Sequence, residues 1–171
     1  DGIPLTLPDG QAVLNVVDPA FIREAEFVRG PASALWGNSS GGVVFLSTLP
    51  RADAPTVSVR ALGGSDAYGR AETEFVTRGA TYRTGIAASY TRADGYRDRS
   101  GYRSMRGRAF AEKTFSPRTF ARLLVAYENT PEQQHPGALT REELEADRRQ
   151  AEVRYVQTES GKKSQQAQAG L

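Results

Sequence analysis

The chain has 171 residues with 22 basic and 20 acidic side chains, and a net charge of +2 is too small to argue for a nucleic-acid partner. With no cysteine and one histidine, a disulfide framework, thiolate metal sites and a cysteine nucleophile are excluded, and a histidine-based metal site or proton relay has little to build on. No run approaches ~18 consecutive apolar residues, which excludes a transmembrane helix; a transmembrane β-barrel stays open, because its strands alternate apolar and polar residues.

The chain opens Asp1-Gly2-Ile3-Pro4, with no basic-then-apolar leader, and stops at Gln168-Ala169-Gly170-Leu171 inside a strand-like pattern. Both ends are therefore expected to be cuts through a longer protein. Asp1–Thr6 reads as a short strand, Pro8-Asp9-Gly10 as a turn, and Val13–Val17 as a second extended piece. Asp18-Pro19 opens a helical turn, with Asp18 as N-cap and Pro19 at the first helical position. Ala25–Arg29 is β-like, Ala32–Trp36 a short helix closed by Gly37, and Val43–Thr48 a strand.

From Thr56 onward one device repeats. Thr56–Leu62, Arg70–Val76, Thr81–Arg92, Met105–Phe115 and Thr119–Tyr127 each alternate with a period of two. One face gathers Val57, Val59, Ala71, Phe75, Tyr82, Ile86, Ala88, Tyr90, Ala109, Leu123 and Val125. The other gathers Arg60, Arg70, Glu72, Glu74, Arg106, Arg108, Glu112 and Arg122. The connectors Thr77–Ala80 and Ser116–Arg118 are short, whereas Asp94–Ser104 and Thr130–Gln150 are long and polar, and residues 129–165 read as loop. A meander with short turns at one end and long loops at the other is the outer-membrane barrel pattern.

Tyr82 and Tyr90 stand eight residues apart on one face. That is ~26 Å along a strand, or ~20 Å at a tilt of roughly 40°, near the height of a barrel's apolar band. Phe75 and Phe115 fall beside the short turns, and Tyr90 and Tyr127 beside the long loops, as two aromatic girdles would. A soluble sandwich whose apolar face is its core is the alternative. The small residues on that face weigh against it, since a dry core needs bulk to fill it.

The stretch Ile22–Val44, IREAEFVRGPASALWGNSSGGVV, resembles the end of the plug domain of TonB-dependent outer-membrane receptors, as do Asp1–Pro4 and Val17–Pro19. Residues 94–103 and 136–150 resemble early barrel loops of that family. The resemblance implies a mainly β fold: part of a plugged, antiparallel transmembrane barrel of about 22 strands, with the C-terminal part of an α+β plug at residues 1–50 and the first barrel strands at 51–171. Only about six strands fit in this length at ~10 residues each plus loops. The implied activity is active uptake of a scarce nutrient, most often a ferric siderophore, across the outer membrane of a Gram-negative-type bacterium. TonB would supply the energy through a segment absent from this sequence. A receptor for cobalamin, a saccharide or another metal chelate, or a soluble β-rich binding module, are the alternatives. No cofactor, catalysis or nucleic acid is implied.

Carried onto this chain, the ligand-facing plug apex is Leu5–Asn15, with Thr6, Asp9, Gln11 and Asn15 as polar candidates. Tyr96, Arg97, Arg99, Tyr102 and Arg103 form a basic, aromatic loop suited to an anionic chelate through charge-assisted hydrogen bonds and stacking. The resemblance puts Arg29 where plug arginines meet acidic residues of the barrel wall. Glu72, Glu74 and Glu112 share the inward face with Arg106 and Arg108, and the pairing is left open.

Two motifs complete the reading. Gly37-Asn38-Ser39-Ser40-Gly41 matches the G-x-S-x-G nucleophile elbow, but the elbow needs a strand before it and a helix after it, the reverse of the order expected here. Thr140-Arg141-Glu142-Glu143 is a capping box, so residues 141–149 are expected to hold a short loop helix.

Overall fold

A computed structural model describes residues 1–6, 12, 14–30, 33–36, 41–50 and 54–171. The chain is mainly β and its sheets are antiparallel. Strands β1 (Glu24–Arg29) and β2 (Gly42–Ser47) form a two-stranded sheet. Strands β3 (Thr56–Gly63), β4 (Gly69–Arg78), β5 (Tyr82–Ala93), β6 (Tyr102–Ser116), β7 (Thr119–Gln134) and β8 (Gly161–Gly170) form a meander in which each strand pairs with the next. Short helices α1 (Ser33–Trp36), α2 (Arg141–Ala146) and α3 (Val153–Gln157) lie between strands. None is long and apolar enough to cross a membrane.

The five alternating segments all form strands, and β4, β6 and β7 run beyond their apolar pattern. β7 runs on through Asn129, Glu132, Gln133 and Gln134, and β8 runs through Lys162, Lys163, Ser164, Gln165 and Gln166 before Gln alternates with Ala at Ala167 and Ala169. Residues 129–165 are thus not simply loop. The apolar alternation ends at Tyr127, while the ladder continues as long as a partner strand supplies hydrogen bonds; Tyr102 pairs with Gln133, and Thr130 with Ser164.

The N-terminal expectations divide. Asp18 caps a 3-10 turn at Pro19–Phe21, its carboxylate accepting from the Ala20 N–H at 3.0 Å. The strands near 25–29 and 43–48 are present as β1 and β2, and Ser33–Trp36 is helical. Asp1–Thr6 is not a strand. Among the described residues it makes a single bridge, Thr6 with Ala12, since Pro4 has no N–H to donate and Gly2 sits at φ +89°. Val17 closes a turn onto the Leu14 carbonyl at 3.0 Å instead of extending. Val13, Pro8-Asp9-Gly10 and Gly37–Ser40, with the rejected elbow, lie outside the described residues.

The larger sheet has opposite chemistries on its two faces. The inner face, turned toward the described residues of the N-terminal segment, buries Glu72, Glu74, Ser89, Thr91, Ser104, Glu128 and Thr130. A small apolar cluster, Val76, Phe110 and Leu124 with Leu49 and Ile3 from the N-terminal segment, shares that face. Gly85 lets it close, because a Cβ there would stand 2.5 Å from the Phe110 ring.

The outer face is exposed and apolar. Tyr82, Ile86, Leu123 and Val125 are 47%, 61%, 46% and 41% exposed, so they are not a core. One row across the sheet reads Val57, Phe75, Ile86, Ala109, Val125, Ala169; two rows further along it reads Ala61, Ala71, Tyr90, Met105, Asn129, Gln165. No charged side chain occurs on this face from the row of Thr77, Thr84, Ala111 and Leu123 to the row of Tyr90. Lys113 stands beside Tyr82 beyond one border; Arg92 and Arg103 stand beyond the other. Phe75 and Tyr127 fall inside this band rather than at its edges, because β4 and β7 outrun their apolar pattern.

Candidate functional site: a charged clamp on the inner face

Strand periodicity puts Arg70, Glu72 and Glu74 of β4 on the same side as Arg106 and Arg108 of β6. These side chains hold the N-terminal segment. Arg70 is the hub: it donates to both Asp18 carboxylate oxygens at 2.6 and 2.8 Å, to Glu72 at 2.6 Å and to Thr91 Oγ1 at 2.7 Å. Asp18 also accepts from Ser89 Oγ. Glu74 receives Arg23 from the N-terminal segment and Arg108 from β6, the latter at 2.6 Å.

Arg108 further donates to the Thr48 carbonyl and lies over the Phe21 ring at 5.0 Å. Arg83 donates to the Pro50 carbonyl at 2.8 Å and pairs with Glu112, which also takes Arg122 at 2.6 Å. Arg106 donates to the Asn15 carbonyl at 2.8 Å. Contacts to residues 15–50 thus come from arginines on three consecutive strands, mostly to carboxylates and carbonyls and with little apolar surface beneath them. Such an interface separates at lower cost than a dry core of the same area, because each freed group is rehydrated as it leaves.

Burial raises the Asp18 carboxyl, but hydrogen bonds from Arg70, Ser89 and the Ala20 N–H outweigh it and hold the group below its ordinary value. With the folded value the lower one, the pair stabilises fully above the ordinary aspartate value of about 3.9 and is lost as pH falls through the folded value. The protection factors of the Ala20 and Phe21 amides should therefore be flat from neutral pH down to about 4 and fall below it. Asp18→Asn should remove that acid limb; a limb persisting in the variant would assign it to another group.

The loop candidates make a second cluster. Arg97 donates to the carbonyls of Gly137 at 2.7 Å, Pro136 at 3.2 Å and Gln150 at 2.9 and 3.0 Å. Arg99, at φ +56°, reaches the Ser160 carbonyl at 3.4 Å. Arg149 lies over the Tyr96 ring at 5.0 Å, and the Asp98 N–H donates to the Arg149 carbonyl at 2.7 Å. The Tyr102 hydroxyl accepts from Arg106 at 3.1 Å, and Arg103 pairs with Glu132 at 3.2 Å. Residues 94–101 and 135–160 are thus one braced assembly, with α2 opened by the Thr140–Glu143 capping box. Arg97→Ala should free residues 136–150, raising their proteolytic cleavage and removing about 1.5–3 kcal/mol of local stability, since hydrogen bonds to a charged group are the strong ones. Unchanged cleavage there would remove the bracing role.

Of the apex candidates, Thr6 pairs with Ala12, Asn15 offers its carbonyl to Arg106, and Asp9 and Gln11 lie outside the described residues. Arg29 is exposed at the end of β1, opposite Gly42; Arg23 is the arginine of this segment that reaches the sheet. Sequence reasoning took Asp18 as a helix cap alone and passed over Arg23, Arg70 and Arg83 as contacts. The available signal was the i, i+2 run of opposite charges in β4 on a face that β5 and β6 match with further arginines. Among the described residues no three metal-ligating side chains gather. No known family model matches this chain.

Proposed function

We propose that the chain is the junction of a TonB-dependent outer-membrane receptor, residues 1–50 belonging to the plug and residues 51–171 to the first barrel strands. On this reading the whole protein takes up a scarce nutrient, a ferric siderophore first among the candidates, with energy delivered by TonB. The observation that carries it is the reversed polarity of the six-stranded sheet. Its charged face is covered by the chain's own N-terminal segment, and its uncharged face, bounded by Tyr82 and Tyr90, is left exposed. A water-soluble sheet has the opposite arrangement; a lipid-facing sheet around a polar lumen has this one. The open edges at β3 and β8 call for further strands in lipid, where unpaired backbone groups are not tolerated. The clamp of Asp18, Arg23, Arg70 and Arg108 supplies a contact that holds a plug in place and parts under a pull.

The test is fractionation of cells expressing the protein that carries this chain. Recovery with outer membranes and release only by detergent is the expected result, and a detergent-free monodisperse protein overturns the reading. The substrate is tested by uptake of ferric chelates under iron limitation with and without the gene. Unchanged uptake moves the assignment to a cobalamin, saccharide or other chelate receptor.

A further inference from the structure

The uncharged outer band ends differently at its two borders. Beyond the short-turn border the outer face carries Lys113, which donates to Thr81 Oγ1 at 2.8 Å. Beyond the long-loop border Arg92 and Arg103 stand directly opposite one another across β5 and β6, both about half exposed. Lys163 of β8 shares their side of the sheet and is exposed. Like charges facing each other across a ladder destabilise it unless something neutralises them. Glu132 pairs with Arg103 at 3.2 Å, and Asp94 makes one exposed contact with Arg92 at 3.4 Å, of the kind worth little in water. Three cations against two carboxylates leave an unneutralised positive charge at the place where the apolar band stops. Tyr90 lies two residues inward of Arg92 on the same strand face.

We propose that Arg92 and Arg103 form a binding site for the phosphate of a lipid headgroup whose acyl chains lie along the uncharged band. The occupant must carry an anion and a long apolar tail together, since the paired guanidinium groups suit phosphate oxygens and the adjoining surface suits hydrocarbon. A free phosphate satisfies the arginines alone and leaves the band untouched. The inference rests on the membrane reading above.

The test uses the detergent-solubilised protein carrying this chain, exchanged into mixed micelles of dodecyl maltoside with phosphatidic acid or with phosphatidylcholine, and native mass spectrometry of what stays bound. Phosphatidic acid is expected to be retained over phosphatidylcholine. Arg92→Gln with Arg103→Gln should cut that retention about tenfold, and Lys113→Gln should leave it unchanged. Equal retention of the two lipids, or no loss in the double variant, overturns the headgroup site while leaving the membrane reading intact. Displacement of the lipid by millimolar inorganic phosphate overturns the lipid as the source. A protein that needs no detergent fails the membrane reading itself, and this site with it.

Discussion

Replacing Arg70 by methionine is expected to loosen residues 14–50 from the six-stranded sheet and to cost about 3–5 kcal/mol, the range for removing one partner of a buried ion pair. Arg70 is 12% exposed in its side chain, and the carboxylates it serves, Asp18 and Glu72, are 4% and 8% exposed. Without the guanidinium, both remain in a site that water enters poorly; Arg60, 66% exposed and 3.4 Å from Glu72, compensates only weakly. Asp18→Asn alone is milder: it removes the charge, keeps a side-chain oxygen for the Ala20 cap, and leaves Arg70 bound to Glu72 and Thr91. The double variant should therefore lose less than the sum of the two single changes, the non-additivity of groups in one network. Urea unfolding of the four proteins measures the cycle, and proteolysis of residues 14–50 shows where the loosening occurs. Strict additivity would mean that Asp18 and Arg70 act separately and that the clamp is not one unit.

What the sequence made legible follows from what a periodic pattern encodes. Val57, Phe75, Ile86 and Leu123 alternate with charges, and alternation assigns strand and face together, so β3 to β7 and the exposed apolar side could be read directly. It carries no information about where a strand stops when both faces become polar. Gln133, Gln134 and residues 161–165 read as loop for that reason, although their backbone groups complete the ladder. The Asp18-Pro19 turn and the Thr140–Glu143 capping box were legible because a cap is a local hydrogen bond. The partners of the clamp were not: Asp18 and Arg70 lie 52 residues apart, and nothing local in either neighbourhood selects the other. Arg97 illustrates the same limit from another side. Its composition-based reading as a ligand contact could not register the carbonyls of Pro136, Gly137 and Gln150, which only the folded loops bring to it.

Arginine introduced at Ile86 is expected to be the most damaging surface change on this chain, and its depth dependence is the informative part. Ile86 occupies the row with Phe75, Ala109 and Val125, well inside the uncharged band, and is 61% exposed. In water, a charge at so exposed a position costs within about 0.5 kcal/mol. Facing hydrocarbon near the bilayer midplane it costs about 2–4 kcal/mol, falling to about 0–1 near the interface. Gln165, in the border row with Tyr90 and Met105, supplies the shallow comparison. Ile86→Arg should therefore lower the stability of the protein carrying this chain by several-fold more than Gln165→Arg when both are unfolded by urea from phospholipid vesicles, and should reduce the amount assembled into outer membranes. In a soluble module the two changes would be equally mild, because depth has no meaning on a face bathed in water. Equal costs at the two positions would therefore remove lipid from the description of this face, and with it the physical basis for reading the charged side as a lumen.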